Sequence, residues 1–75
     1  MAVAIPLEVV QVGRRVRLLA LNAGRGLQGR LVAMGLVSGV EIKVLRNSMH
    51  GPILIEVKGS RIMLGRGMAQ KILVA

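Results

Sequence analysis

Two short apolar segments around Gly59 and Ser60 constrain the fold of this 75-residue chain more than any other feature. In residues 53–58 and 61–66, apolar side chains occupy every second position, as they do in a strand with one buried face. A two-residue connection that begins with glycine suits a type II′ turn, so an antiparallel hairpin is predicted. The predicted pairs are Lys58 with Arg61, Val57 with Ile62, and Ile55 with Leu64. This register gathers the apolar side chains on one face and leaves Glu56 and Met63 on the other.

Three further segments are predicted to be strands because their apolar residues recur at every second position. In residues 14–21 the inner face is Val16, Leu18 and Ala20, and the outer face is Arg15, Arg17 and Leu19. In residues 40–46 the inner residues are Val40, Ile42 and Val44, and Glu41 and Lys43 are predicted to point outward. A single helical turn over residues 67–71 then leads into a last short strand around Ile72 and Val74.

One short helix is predicted between the first two strands. Leu27, Leu31 and Met34 recur at i, i+4 and i+7, which makes one apolar stripe, and we expect Met34 to fill part of the core. Gly35 is predicted to end the helix with a positive φ, and Leu36 would then pack back on Leu31 in a Schellman motif. Residues 37–40 form a tight turn in which Gly39 supplies positive φ.

The order of these elements predicts a mainly β fold in one domain over residues 1–75. Five short strands in so short a chain favour a small, strongly bent five-stranded barrel with one short α-helix between the first and second strands, because closure hides the sheet edges. The chain has no Cys, Phe, Tyr or Trp, so its core must consist of Val, Leu, Ile, Met and Ala without disulfides.

The segment Gly24-Arg-Gly-Leu-Gln-Gly-Arg30 contains the G-x-G-x-x-G pattern of dinucleotide-binding turns. That pattern binds a nucleotide only within a strand, a crossover helix and a parallel strand. Here the chain after Gly39 is predicted to be antiparallel, and 75 residues leave no space for the rest of a dinucleotide fold. We therefore interpret the glycines as the start of the short helix.

Catalytic and metal-binding residues are sparse. Three glutamates and one histidine are scattered singly, and the serines fall in predicted turns, so no nucleophile–base pair is indicated. His50 has no neighbouring Asp, Glu or Cys, and the five methionines are better explained as core filling than as a soft-metal site. We predict a protein that is not an enzyme and that has neither cofactor nor metal.

Charge is the strongest indication of function, because 11 Lys and Arg against 3 acids give a net charge of +8. Such a field attracts acidic proteins, nucleic acids or anionic surfaces. Candidate partner-binding residues combine outward cations with outward apolar side chains: Arg15, Arg17, Leu19, Leu54, Lys58, Arg61 and Met63. Nucleic acid is the alternative partner, although small barrels that bind single strands usually stack bases on aromatic rings, which this chain lacks. The apolar amino terminus is too short to span a bilayer, so we expect a cytoplasmic protein without membrane insertion.

A set of ordered, spaced residues in segments 31–46, 50–59 and 62–66 carries a family resemblance. They are Gly35, Leu36, Gly39, Val44, Leu45, Arg46, Gly51, Pro52, Gly59, Leu64 and Arg66, followed by Ala69, Ile72 and Val74. With this spacing, the chain from about residue 12 to residue 75 resembles the ferrous iron transport protein A family (FeoA). It departs from that family at Met34, where Leu is usual, at Ser38, where Pro is usual, and at Gly65, where a bulkier residue is usual.

The resemblance implies an SH3-like barrel and a cytoplasmic accessory of the large membrane ferrous iron transporter. It implies neither catalysis nor an established metal site. The partner that it implies is the cytosolic GTP-binding domain of that transporter (FeoB-like). We therefore expect a non-enzymatic interaction module that assists or restrains iron uptake.

Overall fold

Six short antiparallel strands form one sheet in the computed structural model, which describes residues 3–48 and 50–75. The elements in chain order are β1 (Ile5–Pro6), a 3-10 turn (Leu7–Val9), β2 (Arg15–Leu21), α1 (Arg25–Ala33), β3 (Glu41–Asn47), β4 (Ile53–Val57), β5 (Ser60–Leu64), α2 (Arg66–Ala69) and β6 (Ile72–Val74). The strand order across the sheet is β1-β6-β2-β3-β4-β5. The mainly β class and the position of the helix are confirmed.

The structure adds one strand to the five that were predicted. β1 pairs with β6 through Ile5 opposite Val74 and Pro6 opposite Leu73. Two residues are too few to show alternation in a sequence. Proline also has no N–H to donate to a ladder, so it is tolerated here only because β1 lies at the edge of the sheet.

The β4–β5 hairpin is confirmed, but its predicted register and turn type were wrong. Val57 pairs with Ser60, and the turn residues are Lys58 and Gly59, with φ of 50° and 80°. Positive φ at both central residues is the mark of a type I′ turn, whose twist matches that of the flanking strands. The whole pairing is displaced by two residues, an even number, so the predicted inner and outer faces survive. Lys58 therefore does not face Arg61, which lies opposite Glu56.

A β-bulge in β2 explains a second wrong prediction. Leu18 pairs with Val74 and Ala20 pairs with Leu73, so one extra residue of β2 lies between two consecutive partners on β6. The inserted residue reverses the alternation. As a result Ala20 is exposed rather than buried, and Leu21 packs against the core instead.

The end of α1 follows the predicted Schellman geometry. Gly35 has φ of 94°, the Leu36 amide donates to the Leu31 carbonyl at 3.0 Å, and the Gly35 amide donates to Val32 at 2.9 Å. The predicted burial of Met34 was wrong, because the helix ends at Ala33 and Met34 is its C-cap residue, 41% exposed. The turn after Met34 directs Leu36 toward the barrel, and Leu36 is the residue that is fully buried in the core.

The core is entirely aliphatic among the described residues, and it contains no buried polar or charged residue. It consists of Leu7, Val10, Val16, Leu18, Leu31, Leu36, Val40, Ile42, Val44, Ile53, Ile55, Val57, Leu64, Ala69, Ile72 and Val74. Every strand except β1 contributes to it, so the core joins the helix, the 3-10 turn and the two halves of the sheet into one unit.

Candidate partner interface

One side of strands β2–β5 points away from the core and carries most of the residues that were predicted to contact a partner. We call this side the outer face. Because side chains alternate along each strand, its members follow from the strand register. They are Arg15, Arg17, Glu41, Lys43, Arg46, Leu54, Glu56, Arg61 and Met63.

A row of charges crosses the outer face at right angles to the strands. Arg15 pairs with Lys43, Lys43 with Glu56, and Glu56 with Arg61, so the signs run positive, positive, negative, positive. Arg15 also reaches Glu41, with 3.5 Å between its Nη1 and the carboxylate Oε1. Both side chains are about half exposed or more, so solvent weakens the attraction, and such pairs contribute little to stability.

The outer face remains cationic despite its two glutamates. Among the described residues the ion pairs are Arg15 with Glu41 and Arg66 with Glu8. Arg61, Lys43 and Lys58 therefore form no ion pair within that part of the chain. Arg17 donates from Nη1 to the Gly39 carbonyl at 3.1 Å, which orients its side chain without neutralising it. These cations are available to carboxylates of a partner.

Apolar side chains lie on the outer face beside the charged row. Arg46 pairs with Leu54, and Leu54 pairs with Met63 on β5. Met63 is 59% exposed and Leu54 is half-buried. An apolar pair that is partly exposed and has arginines beside it has the composition of a protein interface, where Met and Arg are enriched.

An open depression lies along the charged row, near the β4–β5 turn. Its volume is about 420 Å³, and it is lined by Arg15, Val40, Glu41, Lys43, Glu56 and Lys58. Three cations and two carboxylates line it, so its chemistry suits a mixed or acidic polypeptide better than an apolar small molecule.

The structure brings six of the seven predicted residues together and separates one. Arg15, Arg17, Leu54, Arg61 and Met63 share the outer face, and Lys58 lies at its rim in the turn. Leu19 lies apart, because β2 leaves β3 after Arg17 and pairs with β6 from Leu18 onward.

Sequence reasoning did not include Glu41, Lys43, Arg46 and Glu56 among the interface residues. Glu41 and Lys43 were predicted to point outward, which was the available signal. Their position between the arginines depends on how β3 pairs with its two neighbours, and that pairing is not readable from one strand.

Arg66 is a further cation near the end of β5, but its guanidinium is bound within the fold. Its guanidinium donates from Nη2 to Asn47 Oδ1 at 2.5 Å and to the Ser48 carbonyl, and from Nη1 to the Glu8 carbonyl at 3.4 Å. Asn47 in turn donates from Nδ2 to the Glu8 and Val10 carbonyls at 3.0 and 2.8 Å. These bonds join the 3-10 turn, the end of β3 and the start of α2, so Arg66 is not available to a partner.

The G-x-G-x-x-G segment forms the start of α1, as interpreted from the sequence. Gly24 is the N-cap residue, and Gly26 and Gly29 lie inside the helix. β2 and β3, the strands on either side of α1, are antiparallel, whereas a dinucleotide fold requires a parallel crossover.

His50 is exposed in a turn, and within residues 3–48 and 50–75 no three His, Cys, Asp or Glu side chains lie close enough to hold a metal ion. Met68 packs against the core, and Met49 lies outside the described residues. Within the described part, neither helix combines the length and the apolar composition that a bilayer span needs.

Comparison with known proteins identifies the fold and the family. The FeoA domain family matches residues 5–75. A protein of Methanocaldococcus jannaschii named Fe(2+) transport protein A is 45% identical over 69 residues, which cover 92% of this chain and 83% of the relative.

Solved structures agree with this match. The crystal structure of an iron uptake regulatory protein (FeoA) superimposes with a TM-score of 0.90 at 33% identity, and the alignment covers 96% of both chains. The zinc complex of a Stenotrophomonas maltophilia FeoA, described as a prokaryotic SH3 domain protein, has a TM-score of 0.81 at 20% identity, with 99% of this chain and 91% of that chain covered. At 20% identity, the similarity to the Stenotrophomonas maltophilia structure shows the fold alone, and it confirms the SH3-like barrel.

Proposed function

Because this chain belongs to the FeoA domain family, we propose that it is an accessory protein of ferrous iron transport which acts by binding the transporter. The family is not a family of enzymes, and this chain is not an enzyme. In the proposal, the chain acts on the cytoplasmic side of the membrane. There it binds the cytosolic GTP-binding domain of the ferrous iron transporter and modulates uptake.

The observation that carries the proposal is the composition of the outer face. Its cations are mostly without ion-pair partners in the described part of the chain, and they lie beside the exposed Met63 and the half-buried Leu54. A partner with an acidic rim and an apolar centre would neutralise the cations and cover Met63 at the same time. Long-range attraction from a chain of net charge +8 would also accelerate the encounter.

Titration calorimetry or biolayer interferometry with the purified cytosolic domain tests the proposal. We expect the affinity to fall as salt rises, because exposed charges are screened over about 10 Å at 0.1 M salt. The double variant Arg15→Glu and Arg61→Glu should lower the association rate by about 10-fold or more and change dissociation less. If the transporter's cytosolic domain does not bind this protein even at low salt, the proposed function is excluded.

A matched control removes the effect of total charge. Arg30→Glu and Lys71→Glu change the net charge by the same amount, but these two exposed residues lie on α1 and in the turn before β6, off the outer face. The control should retain most of the association rate. The same titration with single-stranded and duplex oligonucleotides tests the nucleic-acid alternative, for which a steep salt dependence would be expected.

A further inference from the structure

The sheet has two edges, and only one of them is suited to accept another strand. β1 is one edge, and it is two residues long and contains Pro6. β5 is the other edge: it has five residues, contains no proline, and pairs with β4 on one side only within the described part of the chain. A short edge strand with proline resists further pairing, whereas a longer regular one presents unpaired backbone groups.

The register shows which backbone groups of β5 face away from β4. In the type I′ turn, Val57 and Ser60 flank the turn and form a hydrogen-bonded pair. Hydrogen-bonded and non-hydrogen-bonded pairs alternate along an antiparallel ladder, so Ile62 is bonded to β4 and Arg61 and Met63 are not. The N–H and C=O groups of Arg61 and Met63 therefore point to the free edge. Neither residue forms a backbone bond with a turn or loop in the described part of the chain.

The side chains of the same two residues belong to the outer face. Arg61 is exposed and forms no ion pair among the described residues, and Met63 is 59% exposed. A strand added next to β5 would thus meet two free backbone N–H groups, one free guanidinium and one apolar side chain. Backbone bonds supply affinity in this mode of recognition, and alternate side chains supply specificity.

We infer that β5 is the docking edge for an extended, acidic segment of a partner protein, which adds to the sheet as a seventh strand. The inference rests on the proposed function, because the partner is taken to be the transporter's cytosolic domain. Charge complementarity selects an acidic segment: Lys58 and Arg61 lie at the first half of the edge without ion pairs in the described part.

The same charges disfavour a second copy of this chain as the occupant. Two chains of net charge +8 repel each other. Pairing of one β5 with another would also bring an Arg61 from each copy onto neighbouring strands, where like charges destabilise a sheet.

Two substitutions at one position separate backbone pairing from side-chain contact. Met63→Ala removes the side chain and keeps the N–H group, whereas Met63→Pro removes both. Because the Met63 amide does not bond to β4, proline there is compatible with the hairpin, as is usual at sheet edges. We expect Met63→Pro to bind the cytosolic domain about 10-fold more weakly than Met63→Ala, the effect of one lost hydrogen bond. Equal binding by the two variants would overturn the inference.

Amide hydrogen exchange in the unmodified protein gives a second test that does not depend on folding of the proline variant. We expect the Arg61 and Met63 amides to exchange at least about 10-fold more slowly when the cytosolic domain is bound, since both amides would then donate to the added strand. Binding without slower exchange at these two amides refutes edge docking but leaves the proposed function standing. Absence of binding refutes both, and protection that increases with the concentration of the free chain identifies a second copy as the occupant and refutes the inference.

Discussion

Substitution of Arg66 by methionine tests whether the bonds around this arginine hold the amino-terminal segment on the barrel. The side chain is only 26% exposed, and its guanidinium contacts Glu8 in the 3-10 turn and Asn47 and Ser48 at the end of β3. Methionine keeps much of the length of the aliphatic stem but cannot donate to any of these oxygens. The variant therefore removes the bonds with a small change in packing.

The expected loss follows from the number and quality of the bonds. Two of them, to Asn47 Oδ1 and the Ser48 carbonyl, are close, and hydrogen bonds with a charged group contribute about 1.5–3 kcal/mol each. The third, at 3.4 Å, is weak. Against this, Arg66 Nε is buried without a partner, a desolvation cost of about 1–3 kcal/mol that methionine removes. The remaining loss is about 2 kcal/mol, which lowers Tm by roughly 8–16 °C in a domain of this size.

Differential scanning calorimetry with far-ultraviolet circular dichroism measures this loss, since the chain has no Tyr or Trp for fluorescence. Arg14→Met is the matched control: it removes the same charge from an exposed residue whose side chain forms no hydrogen bond or ion pair in the described part. We expect the control to remain within about 0.5 kcal/mol of the parent. If Arg66→Met is as stable as Arg14→Met, the bonds around Arg66 do not stabilise the fold and the reasoning is refuted.

Two pairs of substitutions and one single substitution test other features by the same calorimetric measurement. Gly35→Ala should cost about 1–2 kcal/mol, because alanine is strained at φ of 94°, whereas Gly29→Ala inside α1 should stabilise by up to about 1 kcal/mol. Equal effects at the two glycines would contradict the Schellman ending. Leu31→Ala should cost about 2–5 kcal/mol because Leu31 is fully buried, and Met34→Ala should cost less than about 1 kcal/mol because Met34 lies largely outside the core. A larger loss of stability at Met34 than at Leu31 would instead support the sequence-based prediction that Met34 fills part of the core. Lys58→Asn should stabilise the hairpin by a few tenths of a kcal/mol, since asparagine tolerates positive φ better, and no gain would argue against the type I′ turn.

Local patterns in the sequence were sufficient for several elements. Alternation identified five strands, and the helix ending at Gly35 followed from one glycine and the leucine after it. These features depend on steric limits and hydrogen bonds between residues close in the chain, so a short window contains the information. The same holds for the inner and outer faces of the hairpin, which any even shift in register preserves.

Contacts between distant residues decided where those patterns failed. Glycine at position 59 suits the first position of a type II′ turn or the second position of a type I′ turn, and the register of β4 against β5, with Val57 opposite Ser60, selected the latter. Ala20 became exposed because β6 pairs with β2 across a bulge, and Met34 was displaced because Leu36 fills the core. The pairing of β6 cannot be identified from the β2 segment alone, and the choice between Met34 and Leu36 as the core residue depends on the barrel against which the turn packs.

For the candidate interface, too, some features were predictable from the sequence and others depended on the tertiary structure. The sequence alone determined that the chain is basic, aliphatic and mainly β, and that arginines and apolar residues point outward from its strands. Only the tertiary structure decided that Arg66 is used internally, that Glu56 lies opposite Arg61, and that β5 forms a free edge. The physical reason is that charge and alternation are properties of residues and short segments, whereas register, edges and hydrogen-bond partners are properties of strands brought together by a common core.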